Sequence, residues 1–106
     1  MMRNSELLAS LSNCINHCNY CADACLEEEN VKEMIDCIRT DRVCASVCAA
    51  TADVLATNYP AEVLVGYCQE ICERCAEECK SHEAEHCQKC ARACEECARA
   101  CEKFFA

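Results

Sequence analysis

The chain contains no tryptophan, one glycine (Gly66) and one proline (Pro60) among 106 residues. So few turn-forming residues cannot serve the reversals of a sheet protein, whose hairpins draw heavily on glycine and proline. Basic residues are also scarce, 10 against 19 acidic ones for a formal charge of -9, and the two signs interleave without forming a block. That balance argues against nucleic acid or an anionic lipid surface as a partner. No apolar run approaches the ~20 residues that span a bilayer, and the stretch from Met1 to Glu6 is not the charged region and apolar run of a secretory signal. The expected location is the cytoplasm, with no membrane contact.

Large apolar side chains are missing too. The 53% of hydrophobic residues includes 16 cysteines and 16 alanines, which leaves 24 bigger ones. A leucine core of ordinary size cannot be assembled from these. Unpaired cysteine is among the most buried residue types and is the candidate to fill the interior.

What is abundant, alanine, glutamate and cysteine, favours helix. The length suits one domain over residues 1–106. Asn30 followed by Glu33 has the form of a capping box after the acidic run Glu27, Glu28 and Glu29. Asn58-Tyr59-Pro60 marks a second break, with proline suited to a first helical turn, and Ser81 is a plausible N-cap for a third. The spacing of these signals predicts helices over 5–28, 31–58, 60–80 and 82–104. Connections this short make neighbouring helices antiparallel. The expected fold is all-α, an up-down-up-down four-helix bundle.

The cysteines fall on those helices in a regular way. The first carries Cys14, Cys18, Cys21 and Cys25; the second Cys37, Cys44 and Cys48; the third Cys68, Cys72, Cys75 and Cys79; the fourth Cys87, Cys90, Cys94, Cys97 and Cys101. Every gap within a helix is three, four or seven residues, the spacing that keeps side chains on one face. Four such stripes turned inward make a tube lined with sulfur. Antiparallel packing would gather Leu7, Leu11, Leu55, Tyr59, Leu64 and Phe104 into an apolar plug at one end. At the other it would gather Met34, Cys25, Cys37, Cys79, His82, His86 and Cys87 into a mouth bearing thioether, imidazole and thiolate.

Seven pairs lie four residues apart (14/18, 21/25, 44/48, 68/72, 75/79, 90/94 and 97/101) and account for 14 of the 16 cysteines. Residues so spaced have Cβ atoms about 5 to 6 Å apart, and two thiolates gripping one ion at ~2.3 Å each need sulfurs about 4.5 Å apart. One helix can therefore supply a two-coordinate site. Copper(I), a soft ion, accepts two or three thiolates, whereas zinc favours four in a tetrahedron. Thiolates shared between steps would allow a ladder of ions approaching one per cysteine, which would also neutralise the buried negative charge. Cys37, with Met34 and Asp41 nearby in sequence, and Cys87, beside His86, stand outside the pairs and read as mixed-ligand sites at the mouth.

The runs Cys-x-x-x-Cys-x-x-Cys-x-x-x-Cys at 14–25, 68–79 and 90–101, with His82, His86 and Met34, resemble those of the bacterial cysteine-rich four-helix-bundle copper storage proteins, in particular the cytosolic branch. The resemblance spans roughly Leu7 to Phe104. It implies Cu(I) storage without catalysis, admission of metal at an end bearing histidine and methionine, and a homotetramer. The second helix departs from the pattern, since Asp41 stands in the stripe between Cys37 and Cys44.

Other readings are weaker. A disulfide-stabilised secreted protein would be loop-rich. Zinc or iron-sulfur sites are tetrahedral and suit a stripe of four-residue spacings poorly, and the ferredoxin spacing Cys-x2-Cys-x2-Cys is absent. A thiol redox enzyme would carry a strand before its Cys-x-x-Cys. His17 reads as a boundary histidine, Asp41 as a boundary residue, Tyr20, Tyr59 and Tyr67 as packing or oligomer contacts, and Gly66 as the site of a close helix approach.

Overall fold

Four helices follow one another in the computed structural model, which describes residues 4–106: α1 Ser5–Cys25, α2 Ile35–Leu55, α3 Glu62–Lys80 and α4 Glu85–Phe104. A short 3-10 turn, Val31–Met34, leads into α2. Each helix packs along its neighbours in the cyclic order α1, α2, α3, α4, and the molecule measures 46 × 22 × 20 Å. Sulfur contacts fix the directions. Cys14 meets Cys44 while Cys25 joins Cys37, Cys48 meets Cys68 while Cys37 meets Cys79, and Cys14 meets Cys94 while Cys21 meets Cys87. The bundle is therefore up-down-up-down, as expected. Among the described residues no helix is long and apolar enough to cross a membrane.

The helices are shorter than the sequence suggested, for local reasons. α1 stops at Cys25 rather than near residue 28, and the next three amides reach back only three residues, to Asp23, Ala24 and Cys25. Glu27, Glu28 and Glu29 stand where the helix dipole is negative, which disfavours continuation. Asn30 does not cap a backbone amide. Its side-chain amide donates to Glu33 Oε2 at 2.9 Å, while the Glu33 amide donates to the Asn30 carbonyl and opens the 3-10 turn.

α2 closes at Leu55, where Thr57 Oγ1 donates to the Val54 carbonyl at 2.7 Å and accepts from the Tyr59 amide at 3.0 Å. Pro60 lies just outside α3, not in its first turn. Ser81 ends α3 instead of starting α4, its hydroxyl donating to the Glu78 carbonyl at 2.7 Å. α4 begins at Glu85, so His82 sits in the connection. Gln88 ties that connection down by donating to the carbonyls of His82 and Lys80.

The apolar plug is present with changed membership. Leu7, Leu11, Leu55, Ala61 and Val65 are buried, with Phe104 packed against them. Val65 replaces the expected Leu64 because it lies three residues before Cys68 on the buried stripe, which leaves Leu64 half-buried. Tyr59 is 77% exposed, because α2 ends before reaching it. Each large side chain fully buried here contributes about 1.5 to 3 kcal/mol. The plug is therefore expected to hold the fold independently of metal.

Gly66 is not a point of close approach. A Cβ there would come no nearer than 3.9 Å to the Phe105 ring, and its backbone φ is not positive. Glycine inside a helix costs roughly 0.5 to 1 kcal/mol relative to alanine. Gly66→Ala is therefore expected to raise the apo stability by about that amount, read as a higher urea midpoint with an unchanged slope.

Candidate metal centre

All 16 cysteines are buried with no exposed surface, and all are free thiols. Alanines flank them on the inner faces, with Ala22, Ala45, Ala76, Ala91 and Ala98 buried beside the stripes. Small side chains on every helix let the sulfurs converge on a common axis. Thr51 closes the column toward the plug, fully buried and donating to the Val47 carbonyl at 2.7 Å.

Contacts run both along and across helices. Along a helix, Cys14 to Cys18 and Cys75 to Cys79 span 4.0 Å and Cys21 to Cys25 spans 3.9 Å. Across helices the distances are as short or shorter, with Cys48 to Cys72 at 3.7 Å, and Cys44 to Cys72, Cys18 to Cys94 and Cys18 to Cys90 all at 3.8 Å. Three thiolates around one ion at ~2.3 Å each would stand about 4.0 Å apart, so the spacing suits three-coordinate sites that draw on two helices as well as pairs from one.

The thiols form overlapping sets of four: Cys14, Cys48, Cys72 and Cys97; Cys14, Cys18, Cys44 and Cys94; Cys18, Cys75, Cys90 and Cys94. Shared members make the column continuous rather than a series of separate tetrahedra.

Asp41 is built into this column, in a set with Cys21, Cys79 and Cys90. Expected as a boundary residue, it is fully buried, and its Oδ1 accepts from the thiols of Cys75 and Cys79 at 3.3 Å and of Cys90 at 3.4 Å. Its stripe position in α2 carries it inward like the cysteines before and after it. Burial pushes its carboxyl far above the usual range, so it is protonated in the metal-free protein.

A folded-state pKa raised above the unfolded one gives stability that is complete below about pH 4 and lost as pH rises. Apo stability is expected to fall from about pH 4 upward, through and beyond neutrality, by at most ~1.4 kcal/mol per unit from this group. Asp41→Asn removes that slope, as denaturant unfolding at a series of pH values would show.

Beyond Asp41 lies an outer set, Cys21, Cys25, Cys37 and Cys87. His86 joins it: its Nδ1 is 3.5 Å from Cys21, 3.6 Å from Cys87 and 3.9 Å from Cys25. The other ring nitrogen, Nε2, lies 3.0 Å from Glu28 Oε2, which fixes the ring as the carboxylate of a metal-bound histidine does. Glu28 was not singled out from the sequence, where it reads only as part of an acidic run.

Hydrogen bonds from Cys37 and Cys79 hold Cys21 down to about 5. Burial pushes Cys25 and Cys87 up. For His86 burial acts downward, but hydrogen bonds to Cys21 and Glu28 outweigh it and the ring titrates above its ordinary range. The metal-free mouth thus sets Cys21, whose thiol is held low, against His86, whose ring is held high, and an arriving ion displaces a proton from the pair.

His82 has a different place. Its Nε2 is 2.7 Å from Glu78 Oε2, on the wall of an end hollow of about 260 Å³ that it shares with Glu28, Glu33, Met34 and Glu83. Met34 is buried there. Thus Met34, His82 and His86 all gather at the expected end, and His86 alone among them touches sulfur in the described contacts.

The copper storage protein family model matches residues 1–106. The chain belongs to the copper storage protein family. Among solved structures it is similar to the copper storage protein Ccsp from Streptomyces lividans loaded with 10 copper equivalents, at a TM-score of 0.93 and 38% identity, covering 96% of this chain and 83% of that one. A cytosolic copper storage protein from Streptomyces lividans with five coppers gives a TM-score of 0.93 at 38% identity, covering 96% and 91%. Cu(I)-bound BsCsp3 gives 0.92 at 38%, covering 98% and all of that chain. Copper storage family membership and the buried sulfur column agree.

Proposed function

We propose that this single-domain chain stores and buffers Cu(I), holding many ions between the thiolates of Cys14, Cys18, Cys21, Cys25, Cys37, Cys44, Cys48, Cys68, Cys72, Cys75, Cys79, Cys87, Cys90, Cys94, Cys97 and Cys101. The observation that carries this reading is the unbroken run of buried free thiols in overlapping groups. Overlap favours bridging thiolates and a monovalent ion, because one ion per sulfur leaves the dry column neutral. Zinc in tetrahedral sites would use about four sulfurs per ion. The role is binding rather than catalysis: copper is cargo and leaves in the state in which it arrived.

His86 is the first nitrogen ligand at the mouth, and His82 and Met34 line the approach. Free thiols in this number require a reducing compartment, which together with the cytosolic relative supports a cytoplasmic location. A homotetramer would cover exposed apolar side chains among Leu26, Ile35, Val43, Val63 and Tyr67, with Tyr20 left open on the groove between α1 and α4. Light scattering on the eluting protein reads its mass directly.

Anaerobic titration of the reduced chain with Cu(I) against a competing chelator tests the storage reading. The expected result is well above four ions per chain, approaching about 16 if each thiolate is matched by one ion, with thiols protected in step and thiolate-to-copper absorption rising in the ultraviolet. A plateau at or below four ions per chain would refute it.

A further inference from the structure

A second hollow lies along the seam between α1 and α4. It has a volume of about 280 Å³ and is lined by Asn13, Asn16, His17 and Tyr20 from α1 and His86 and Lys89 from α4. The α1 residues recur at three, four and seven positions, one face of the helix. This seam and the end hollow meet the metal centre near the same ring: His86 lines the seam, while Glu28, which holds that ring, lines the end hollow.

Their charges differ. The end hollow is walled by Glu28, Glu33 and Glu83. The seam has no carboxylate in its lining, but two amides, a phenol, two imidazoles and the Lys89 ammonium, which is 2.8 Å from Glu85 at the edge.

A soft ion in a thiol-rich compartment is carried by small thiolates, and a carrier that also bears carboxylates makes the complex anionic. Such a complex is repelled by three glutamates and by a chain of charge -9. The seam is the approach to His86 that presents a cation, side-chain amide donors and no lining carboxylate.

We propose that the α1–α4 seam docks an anionic small-thiol complex of Cu(I) and passes its ion to His86 and Cys21. This rests on the storage reading and adds the chemical class of the donor. The transfer is a ligand exchange. Each bond from copper to a donor sulfur breaks as one to His86 Nδ1 or the Cys21 sulfur forms, and the proton displaced from the mouth goes to a departing thiolate. Copper stays Cu(I), so no oxidant or reductant takes part.

Stopped-flow loading of the full-length reduced chain under nitrogen tests this with two donors, Cu(I)-glutathione, which is anionic, and Cu(I)-acetonitrile, which is cationic. Lys89→Glu is expected to slow loading from glutathione about tenfold at low salt, an effect that shrinks as ionic strength rises. Glu85→Gln, which leaves Lys89 unpaired, is expected to speed it, and His17→Ala to slow it. Loading from acetonitrile should not slow in any of the three, since a cationic donor is not repelled by the added negative charge. Equal slowing with both donors, or no change with glutathione in Lys89→Glu, overturns the proposal. The number of ions bound at saturation by the unsubstituted chain, taken from the same experiment, tests the storage reading separately.

Discussion

A chain carrying Cys14→Ala, Cys18→Ala, Cys44→Ala and Cys94→Ala together is expected to lose more than four ions of capacity. These residues form one set of four, and three of them belong to neighbouring sets as well: Cys14 to that of Cys48, Cys72 and Cys97, and Cys18 and Cys94 to that of Cys75 and Cys90. Their removal deprives five further thiols, Cys48, Cys72, Cys75, Cys90 and Cys97, of bridging partners. If each site were instead a pair on one helix, the loss would follow the pairs alone, and Cys72, Cys75 and Cys97 would bind as before.

The substitutions suit helix and leave the plug of Leu7, Leu11, Leu55 and Val65 untouched. Helicity by circular dichroism is therefore expected to survive, as is loading of Cys21, Cys25, Cys37 and Cys87. Persistent outer loading separates a broken column from a failed fold.

The second large effect is kinetic. His86→Ala is expected to slow loading by about tenfold or more, the scale on which metal sites respond to altered ligand support, with the final count nearly unchanged. His86 Nδ1 is the nitrogen against the outer sulfurs, and the thiolate at Cys21 depends partly on it. His82→Ala is expected to have a smaller effect, since that ring is engaged with Glu78. Glu28→Gln keeps the shape but removes the charge holding the His86 ring, so a partial slowing in the same sense is expected. A large drop in capacity with His86→Ala would place the ring among the storage ligands and refute its role at the mouth.

The bundle and its sulfur-lined interior were legible because a single stripe of spacings recurs on every helix, and spacing survives small errors in where helices begin. The histidines were harder to place for that reason. His82 and His86 looked like one turn of the same helix, yet the helix starts only at Glu85, because Ser81 serves the end of α3 and Ala84 takes the cap position.

Asp41 sat in plain view on the stripe of α2. Its charge argued for the boundary, and its raised carboxyl together with the surrounding thiols of Cys37, Cys75, Cys79 and Cys90 explains how it tolerates full burial. Glu28 could not be found from its own neighbourhood in the chain. Its partner, His86, is 58 residues away and is brought to it by the antiparallel return of α4.

With Thr51 and the leucines sealing the far end, the column behaves as a blind shaft. Ions that settle deepest, around Cys48, Cys68 and Cys101, must wait for those above to leave. Withdrawal would then run last in, first out, and the outermost copper alone would exchange quickly with the surroundings. A brief shortage would drain the top of the store and leave the rest in reserve.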